Sequence, residues 1–188
     1  MPELQSGIVR LKQRKFAFEL TEKVSLDCDD KRRLYVITGD NGTGKTTFME
    51  LVIIPWLQKN NITFTCKGQD IQLQSIVERS LNAILGITLS RKKNLLAQVF
   101  FNTHTEEEPE TLQQTWHPQG LLLDETDKFL SADELKKMVN VPDIRFVFII
   151  THLLKKVDLQ EIFSGFDQII NINILDHTEL RKVELTQW

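Results

Sequence analysis

The sequence predicts an α/β fold in which helices cover both faces of a mainly parallel sheet. Strand-like apolar runs alternate with segments of helical periodicity along most of the chain. Two of the runs, residues 121–123 and 144–150, are almost uniformly apolar, as strands buried on both faces are. A regular alternation of this kind favours an open sheet built from strand–helix–strand units.

Size and composition are those of one reduced globular domain. The 188 residues fit a single domain over 1–188, and 23 Lys plus Arg against 26 Asp plus Glu exclude an overall basic field for nucleic acid. Cys28 and Cys66 form no C-x-x-C pair, so neither a disulfide framework nor a zinc site is indicated. No apolar run approaches the roughly 18 to 20 residues that span a bilayer. We therefore expect a cytoplasmic protein that meets a membrane only through a partner.

The elements follow one another in a definite order. Short alternating runs predict an N-terminal antiparallel β-subdomain, and a phosphate-loop strand and an amphipathic helix come next. Residues of about 70–118 are expected to form a small helical insertion. The predicted strands are residues 8–11, 16–20, 24–26, 34–38, 62–65, 120–125, 144–150, 168–174 and 182–185, the last two as a hairpin. Five helices are predicted. The first carries Phe48, Leu51, Val52 and Pro55 on its apolar face, the second starts at Leu73, and the third covers 91–101. The fourth follows a Ser131/Glu134 capping box, and the fifth covers 155–163.

A glycine-rich loop joins the strand at 34–38 to the helix after it. Residues 39–47, GDNGTGKTT, match G-x-x-x-x-G-K-[ST] without a mismatch. Glycines let the backbone curl and turn N–H groups inward, where they bind phosphate together with the helix N-terminus. Lys45 is expected on the β- and γ-phosphates and Thr46 on Mg²⁺. The predicted nucleotide-binding residues of the loop are Gly39, Asn41, Gly42, Thr43, Gly44, Lys45, Thr46 and Thr47.

Two adjacent carboxylates end the strand at 120–125. The run LLLDE resembles a Walker B strand, which makes Asp124 a candidate Mg²⁺ ligand through the water shell of the ion. Glu125 is the candidate general base that polarises the attacking water. A helix or turn cap at Asp124 and a solvated acid at Glu125 are the alternatives.

A histidine follows the next buried strand. In an open α/β sheet, ligands bind outside the carboxyl ends of the strands, which is where His152 falls. Its imidazole is suited to a hydrogen bond with a γ-phosphate oxygen, although a purely structural role stays open. His104, His117 and His177 lack such a context and are interpreted as surface residues.

The motif order resembles that of the ABC ATPase family, over nearly the whole chain. GDNGTGKTT is followed by Gln69 after a strand, then by LLLDE and by a strand that ends in TH. The resemblance implies that Gln69 contacts Mg²⁺ or the attacking water and that Phe16 stacks on adenine. Phe18 is a rival for the aromatic position, and either ring suits a packing role in the core.

Three features depart from that family. The LSGGQ signature has no clean copy, and the nearest candidate is residues 89–93, LSRKK. Thr126 stands where a proline is usual, and Ser131 where an aspartate is usual. The segment between Gln69 and Leu121 is short for a full helical subdomain. In the family each ATP lies between one phosphate loop and the partner's signature, so nucleotide binding is predicted more firmly than fast turnover.

The resemblance implies an ATP-binding, Mg²⁺-dependent ATPase subunit that dimerises with itself or another ABC domain and energises a membrane-embedded transporter subunit. The alternative is a soluble ABC-like ATPase acting as a regulatory switch or in nucleic-acid maintenance. The cluster 91–93 hints at phosphate contacts, but such clusters are usually solvated, and nucleic acid is not the expected partner. A small-molecule or nucleotide kinase is the third possibility. The adjacent carboxylates of Asp124 and Glu125 and the later Thr151-His152 argue against a kinase.

Overall fold

The computed structural model describes residues 3–11, 15–25, 30–68, 119–128, 130–175 and 179–188. Its strands are β1 (Glu3–Leu4), β2 (Gly7–Arg10), β3 (Ala17–Leu20), β4 (Val24–Ser25), β5 (Arg33–Thr38), β6 (Phe64–Gly68), β7 (Gly120–Asp124), β8 (Phe146–Ile150), β9 (Gln168–Leu175) and β10 (Leu180–Gln187). Its helices are α1 (Lys45–Phe48), a π-helical turn (Met49–Ile53), α2 (Ile54–Lys59), a 3₁₀ turn (Thr126–Lys128), α3 (Ala132–Val139) and α4 (Lys156–Ile162).

In the part of the chain that the structure describes, eight strands form one sheet in the order β2-β3-β10-β9-β5-β8-β7-β6. From β9 to β6 all neighbouring strands run parallel, while β9 and β10 pair antiparallel as the predicted hairpin. The mainly parallel sheet predicted from the sequence is therefore confirmed. Since β8 lies between β5 and β7, the loops after these three strands open side by side.

The central strands are buried on both faces of the sheet. Along β5, Tyr35 and Ile37 belong to one hydrophobic cluster, while Leu34 and Val36 belong to the other. Successive side chains of a strand point to opposite faces, so a continuous apolar strand requires cover on both sides. Residues of α1, the π turn and α2 complete the first cluster, and residues of α3 and α4 complete the second.

The helix after the phosphate loop buries a different face from the predicted one. Phe48 and Val52 are buried as expected, but Leu51 is 38% exposed and Pro55 is exposed. Trp56 and Leu57 are buried in place of Pro55. Proline has no N–H to donate within a helix, and its ring clashes with the carbonyl group four residues earlier. The wider π turn at Met49–Ile53 accommodates the missing donor and the ring of Pro55. That turn rotates the later residues out of the ideal helical periodicity.

The N-terminal strands do not all form a separate unit. β2 pairs antiparallel with β3, and β3 pairs parallel with β10, so both extend the main sheet. Among the strands of the described residues, only β1 and β4 make a small antiparallel sheet of their own. The pairing of β3 with β10 covers a sheet edge that would otherwise expose unpaired backbone groups.

The capping box before α3 is confirmed. The Ser131 hydroxyl accepts from the Glu134 backbone N–H at 3.3 Å, and the Glu134 carboxylate accepts from the Ser131 N–H at 2.8 Å. The helical insertion of about 70–118, with the helices at Leu73 and 91–101, lies outside the described residues. None of the helices in the described part of the chain is long and apolar enough to cross a membrane.

Candidate functional site

Three loops converge at one edge of the sheet. In the sheet register, Ile37 of β5 and Asp124 of β7 both pair with Ile150 of β8. The three parallel strands therefore end at the same level, where the phosphate loop, residues 124–125 and residues 151–152 begin. This is the edge at which open α/β sheets bind ligands.

The glycines of the phosphate loop occupy conformations that other residues rarely adopt. Gly39 has φ 146°, Gly42 has φ 84° and Gly44, which caps α1, has φ 90°. A Cβ on Gly39 would also lie 2.5 Å from the Ile174 carbonyl oxygen and 2.8 Å from Thr43 Oγ1. The loop is thus closely packed against β9 at its start, and its curl depends on glycine at these positions.

Lys45 lies inside the loop, with only 7% of its surface exposed. Its ammonium donates to the carbonyl oxygens of Gly39 at 2.8 Å and Asp40 at 3.0 Å. Burial lowers the pKa of Lys45, and the nearby carboxylates of Glu125, Asp40 and Asp124 oppose that shift. A phosphate oxygen is a stronger acceptor than a carbonyl, so the buried ammonium is well placed for an anionic ligand.

The side chains of Thr46, in the first turn of α1, and Asp124, at the end of β7, lie close together. The Thr46 hydroxyl lies 3.4 Å from Asp124 Oδ1 and 3.3 Å from Oδ2, and Asp124 is 4% exposed. A hydroxyl and a carboxylate are hard oxygen donors, which suit Mg²⁺. Among the described residues there is no cluster of three or more His, Cys, Asp or Glu that would hold a metal alone. The pair fits Mg²⁺ because this ion commonly binds a protein through one or two side chains and takes its other ligands from phosphates and water.

Glu125 is held in a left-handed backbone conformation at the rim of the cleft. Its φ is 50°, and its N–H donates to the Ile150 carbonyl at 2.9 Å. Its carboxylate forms an ion pair with Lys128, three residues later in the 3₁₀ turn, and lies 3.0 Å from His152 Nε2. Non-glycine residues in this conformation cluster at functional sites, where surrounding contacts maintain the strain. The side chains of Glu125 and His152 are 26% and 29% exposed, so both reach the ligand-accessible surface.

A second carboxylate anchors the loop that carries His152. Asp127 Oδ2 accepts a hydrogen bond from the Thr151 hydroxyl and, at 3.0 Å, from the Leu153 N–H. The Thr151 hydroxyl also accepts from the Leu154 N–H at 3.0 Å. These bonds tie the residues on both sides of His152 to the turn after Glu125, which fixes the separation of the two side chains.

These groups line an open cleft of about 320 Å³. Its wall contains Phe16, Asn41, Gly42, Gly44, Lys45, Thr46, Thr47, Glu125, His152 and Arg181. Phe16, which precedes β3, contributes an aromatic ring at one end. Phe18 is fully buried and packs edge-on against Phe16 and Phe48, with ring centroids 5.5 and 5.0 Å apart. Phe16, rather than its rival Phe18, is therefore the ring that lines the cleft.

The structure thus brings most predicted site residues to one cleft. Gly39 and Thr43 shape the loop without lining the cleft, and Asp124 lies behind Thr46. Gln69, the altered signature at 89–93, and His104, His117 and His177 lie outside the described residues.

Lys128 and Arg181, which both neighbour the site, were not predicted. Lys128 could have been found from its spacing of three residues after Glu125 in a helical turn. Arg181 carries no local signal, because it lies 136 positions after Lys45 and reaches the loop only through the pairing of β10 with β3.

Comparison with known proteins gives one family match. A family model described as an AAA domain matches residues 28–165, and this match confirms the P-loop NTPase fold. Two similar solved structures are a KaiC-like protein from the hyperthermophilic archaeon Pyrococcus horikoshii OT3 and the flagellar accessory protein FlaH from Methanocaldococcus jannaschii. The first has 12% identity and a TM-score of 0.45, over 84% of this chain and 79% of that chain. The second has 13% identity and a TM-score of 0.44, over 84% and 77%. No curated protein matches the sequence.

Proposed function

The chain belongs to the AAA domain family of P-loop ATPases, and on that premise we propose that it binds ATP with Mg²⁺ in the cleft above residues 39–47 and hydrolyses it. One observation supports this most strongly. The buried Lys45, the Thr46–Asp124 pair at 3.3 Å and the Glu125–His152 pair at 3.0 Å all meet at the same sheet edge. Phosphate binding, metal binding and proton transfer therefore have separate groups within one cleft.

The phosphate chain lies along the glycine loop. Backbone N–H groups of residues 42 and 44–47 and the Lys45 ammonium bind the β- and γ-phosphates, for which Lys45 exchanges its bonds to the Gly39 and Asp40 carbonyls. The Thr46 hydroxyl and Asp124 hold Mg²⁺, with Gln69 as the further ligand implied by the motif order. The ion neutralises phosphate charge when bound.

Glu125 and His152 act at the γ-phosphate end. A water oxygen attacks the γ-phosphorus, the bond to the bridging oxygen of ADP breaks, and Glu125 accepts the proton of the water. His152 donates a hydrogen bond to a γ-phosphate oxygen in place of its present bond to Glu125. When His152 turns to the γ-phosphate, the Glu125 carboxylate loses its contact with His152. The base would thus become available to accept a proton only when ATP is in the cleft.

Substitution of the base tests the reaction. Glu125→Gln should retain ATP binding and lose at least about 100-fold in turnover, since a positioned base contributes about 10²- to 10⁴-fold. Glu184→Gln removes the same charge from an exposed position of β10 and should leave turnover unchanged. Turnover by Glu125→Gln at the rate of the Glu184→Gln control would remove Glu125 from the catalytic role.

Two uses of the ATP cycle are proposed, and they differ in the partner. One use is a regulatory switch that closes on ATP as a dimer, and the net charge of −3 favours a protein over nucleic acid as its partner. The order of the glycine loop, Gln69, Asp124-Glu125 and His152 supports the other use, in which an ABC-type subunit energises a membrane-embedded transporter subunit. ATP-locked Glu125→Gln protein should retain its partner during purification. An integral membrane protein recovered as the partner would support the transporter subunit. A partner recovered with this protein in a membrane-free fraction would support the switch.

A further inference from the structure

A planar cation covers the aromatic ring at one end of the cleft. The guanidinium carbon of Arg181 lies 3.6 Å from the centroid of the Phe16 ring, and Arg181 also donates a hydrogen bond to the Thr43 carbonyl. Both side chains line the cleft. Since one face of the Phe16 ring is already covered, a base that enters from that side meets the guanidinium rather than the ring.

The strands hold this cation in place. Arg181 pairs with Phe18 in the register of β10 and β3, two residues after Phe16. A Cβ on Gly44 would lie 2.6 Å from an Arg181 guanidinium nitrogen and 3.4 Å from Phe16 Cζ. The glycine that begins α1 therefore leaves the space that the guanidinium occupies, and Arg181 packs against the phosphate loop itself.

We propose that Arg181 is a nucleotide-binding residue whose guanidinium stacks on the adenine base, with Phe16 behind it. This inference rests on the proposed binding of ATP in the cleft. A guanidinium is planar and weakly hydrated, so it stacks on aromatic faces where an ammonium does not. Every base offers such a face, and the stack therefore adds affinity with little selection between adenine and guanine. The bond to Thr43 couples the base to the loop that holds the phosphates.

The contribution of the base can be separated from that of the phosphates. Arg181→Lys keeps the positive charge and can still donate to the Thr43 carbonyl, but it loses the planar face. Calorimetric titration of this variant should show a loss of about 5- to 30-fold in ATP affinity, because stacking contributes about 1–2 kcal/mol and each 1.4 kcal/mol is tenfold. Affinity for inorganic tripolyphosphate, which has no base, should stay within about 2-fold of that of the wild type.

Two further variants complete the test. Phe16→Leu removes the ring behind the guanidinium. It should reduce the affinity for ATP but not that for tripolyphosphate, by a smaller factor than Arg181→Lys does. This variant keeps the test available if Arg181→Lys does not fold. Lys182→Gln, at the neighbouring exposed position of β10, should change neither affinity.

The outcomes separate Arg181 from the function on which the inference rests. Equal losses for ATP and tripolyphosphate would overturn base stacking, since they would place Arg181 on the phosphates. Unchanged ATP affinity in a folded Arg181→Lys variant would overturn any role of Arg181 and leave the proposed function intact. Absence of ATP binding by the wild-type protein would overturn both.

Discussion

Gly39→Ala should destabilise the protein more than Gly42→Ala, because an added Cβ meets close atoms at Gly39 but not at Gly42. Both glycines have positive φ, 146° and 84°, so alanine pays a conformational cost of about 1–2 kcal/mol at either position. At Gly42 nothing lies within 4 Å of the added Cβ. At Gly39 the Cβ would lie 2.5 Å from the Ile174 carbonyl oxygen, a backbone atom of β9 that cannot rotate away.

The steric term sets the size of the difference. Overpacking in a closely packed site costs about 1–3 kcal/mol, so Gly39→Ala should lose about 2 kcal/mol more stability than Gly42→Ala. For a chain of this length, that corresponds to a difference of about 4–8 °C in melting temperature. Gly44→Ala should fall between the two, because the close atom there is the end of the Arg181 side chain.

Urea unfolding and thermal unfolding of the ligand-free proteins measure this order directly. The unfolding slope against urea should be the same in all three variants, so that midpoints compare stabilities. Equal melting temperatures for Gly39→Ala and Gly42→Ala would refute the close approach of the loop to β9.

Four other results are expected. ATP affinity should fall as pH rises through the lowered pKa of Lys45, because phosphate binds the charged amine. The fall should come at a lower pH than for an ordinary lysine, whose pKa is near 10.5. ATP titrations across this pH range check it, and the affinity of Lys45→Met should show no fall of this kind. In the same window the folded ligand-free state binds fewer protons than the unfolded state, so its stability should rise with pH, and unfolding midpoints of Lys45→Met should lack that rise. Asp124→Asn should weaken Mg²⁺ binding in the presence of ATP by about 10-fold or more, measured by magnesium titration, and an unchanged magnesium midpoint would exclude Asp124 from the metal site. Ser131→Ala should cost about 1 kcal/mol in urea unfolding through loss of the α3 cap, and a variant as stable as the wild type would contradict the capping role.

Much of the fold could be predicted because its signals are local. The apolar run of β7, the capping box at Ser131 and the glycine loop each depend on residues close in sequence, and each is present. The buried face of the helix at 45–59 could not be predicted from ideal periodicity. Its π turn shifts the residues after Ile53, and Pro55 faces outward while Trp56 is buried.

The site shows the same division between local and distant signals. Lys45, Thr46 and the pair Asp124 and Glu125 could be identified from motifs, whereas the backbone φ of 50° at Glu125 has no counterpart in the sequence. Arg181 could not be identified, since its position depends on the pairing of β10 with β3 across more than 160 residues. Long-range strand pairing is set by the whole sheet, and no spacing rule reports it.

Binding of ATP to the glycine loop is tested most directly by one calorimetric comparison in the presence of Mg²⁺. Wild-type protein should bind ATP saturably, one molecule to each cleft, and Lys45→Ala should bind at least about 50-fold more weakly, since a charged phosphate contact within a buried loop contributes about 2–3 kcal/mol. Unfolding curves measured alongside must show that the variant is folded. Equal affinity of the two proteins, or no binding by the wild type, would contradict the assignment of residues 39–47 as the phosphate site.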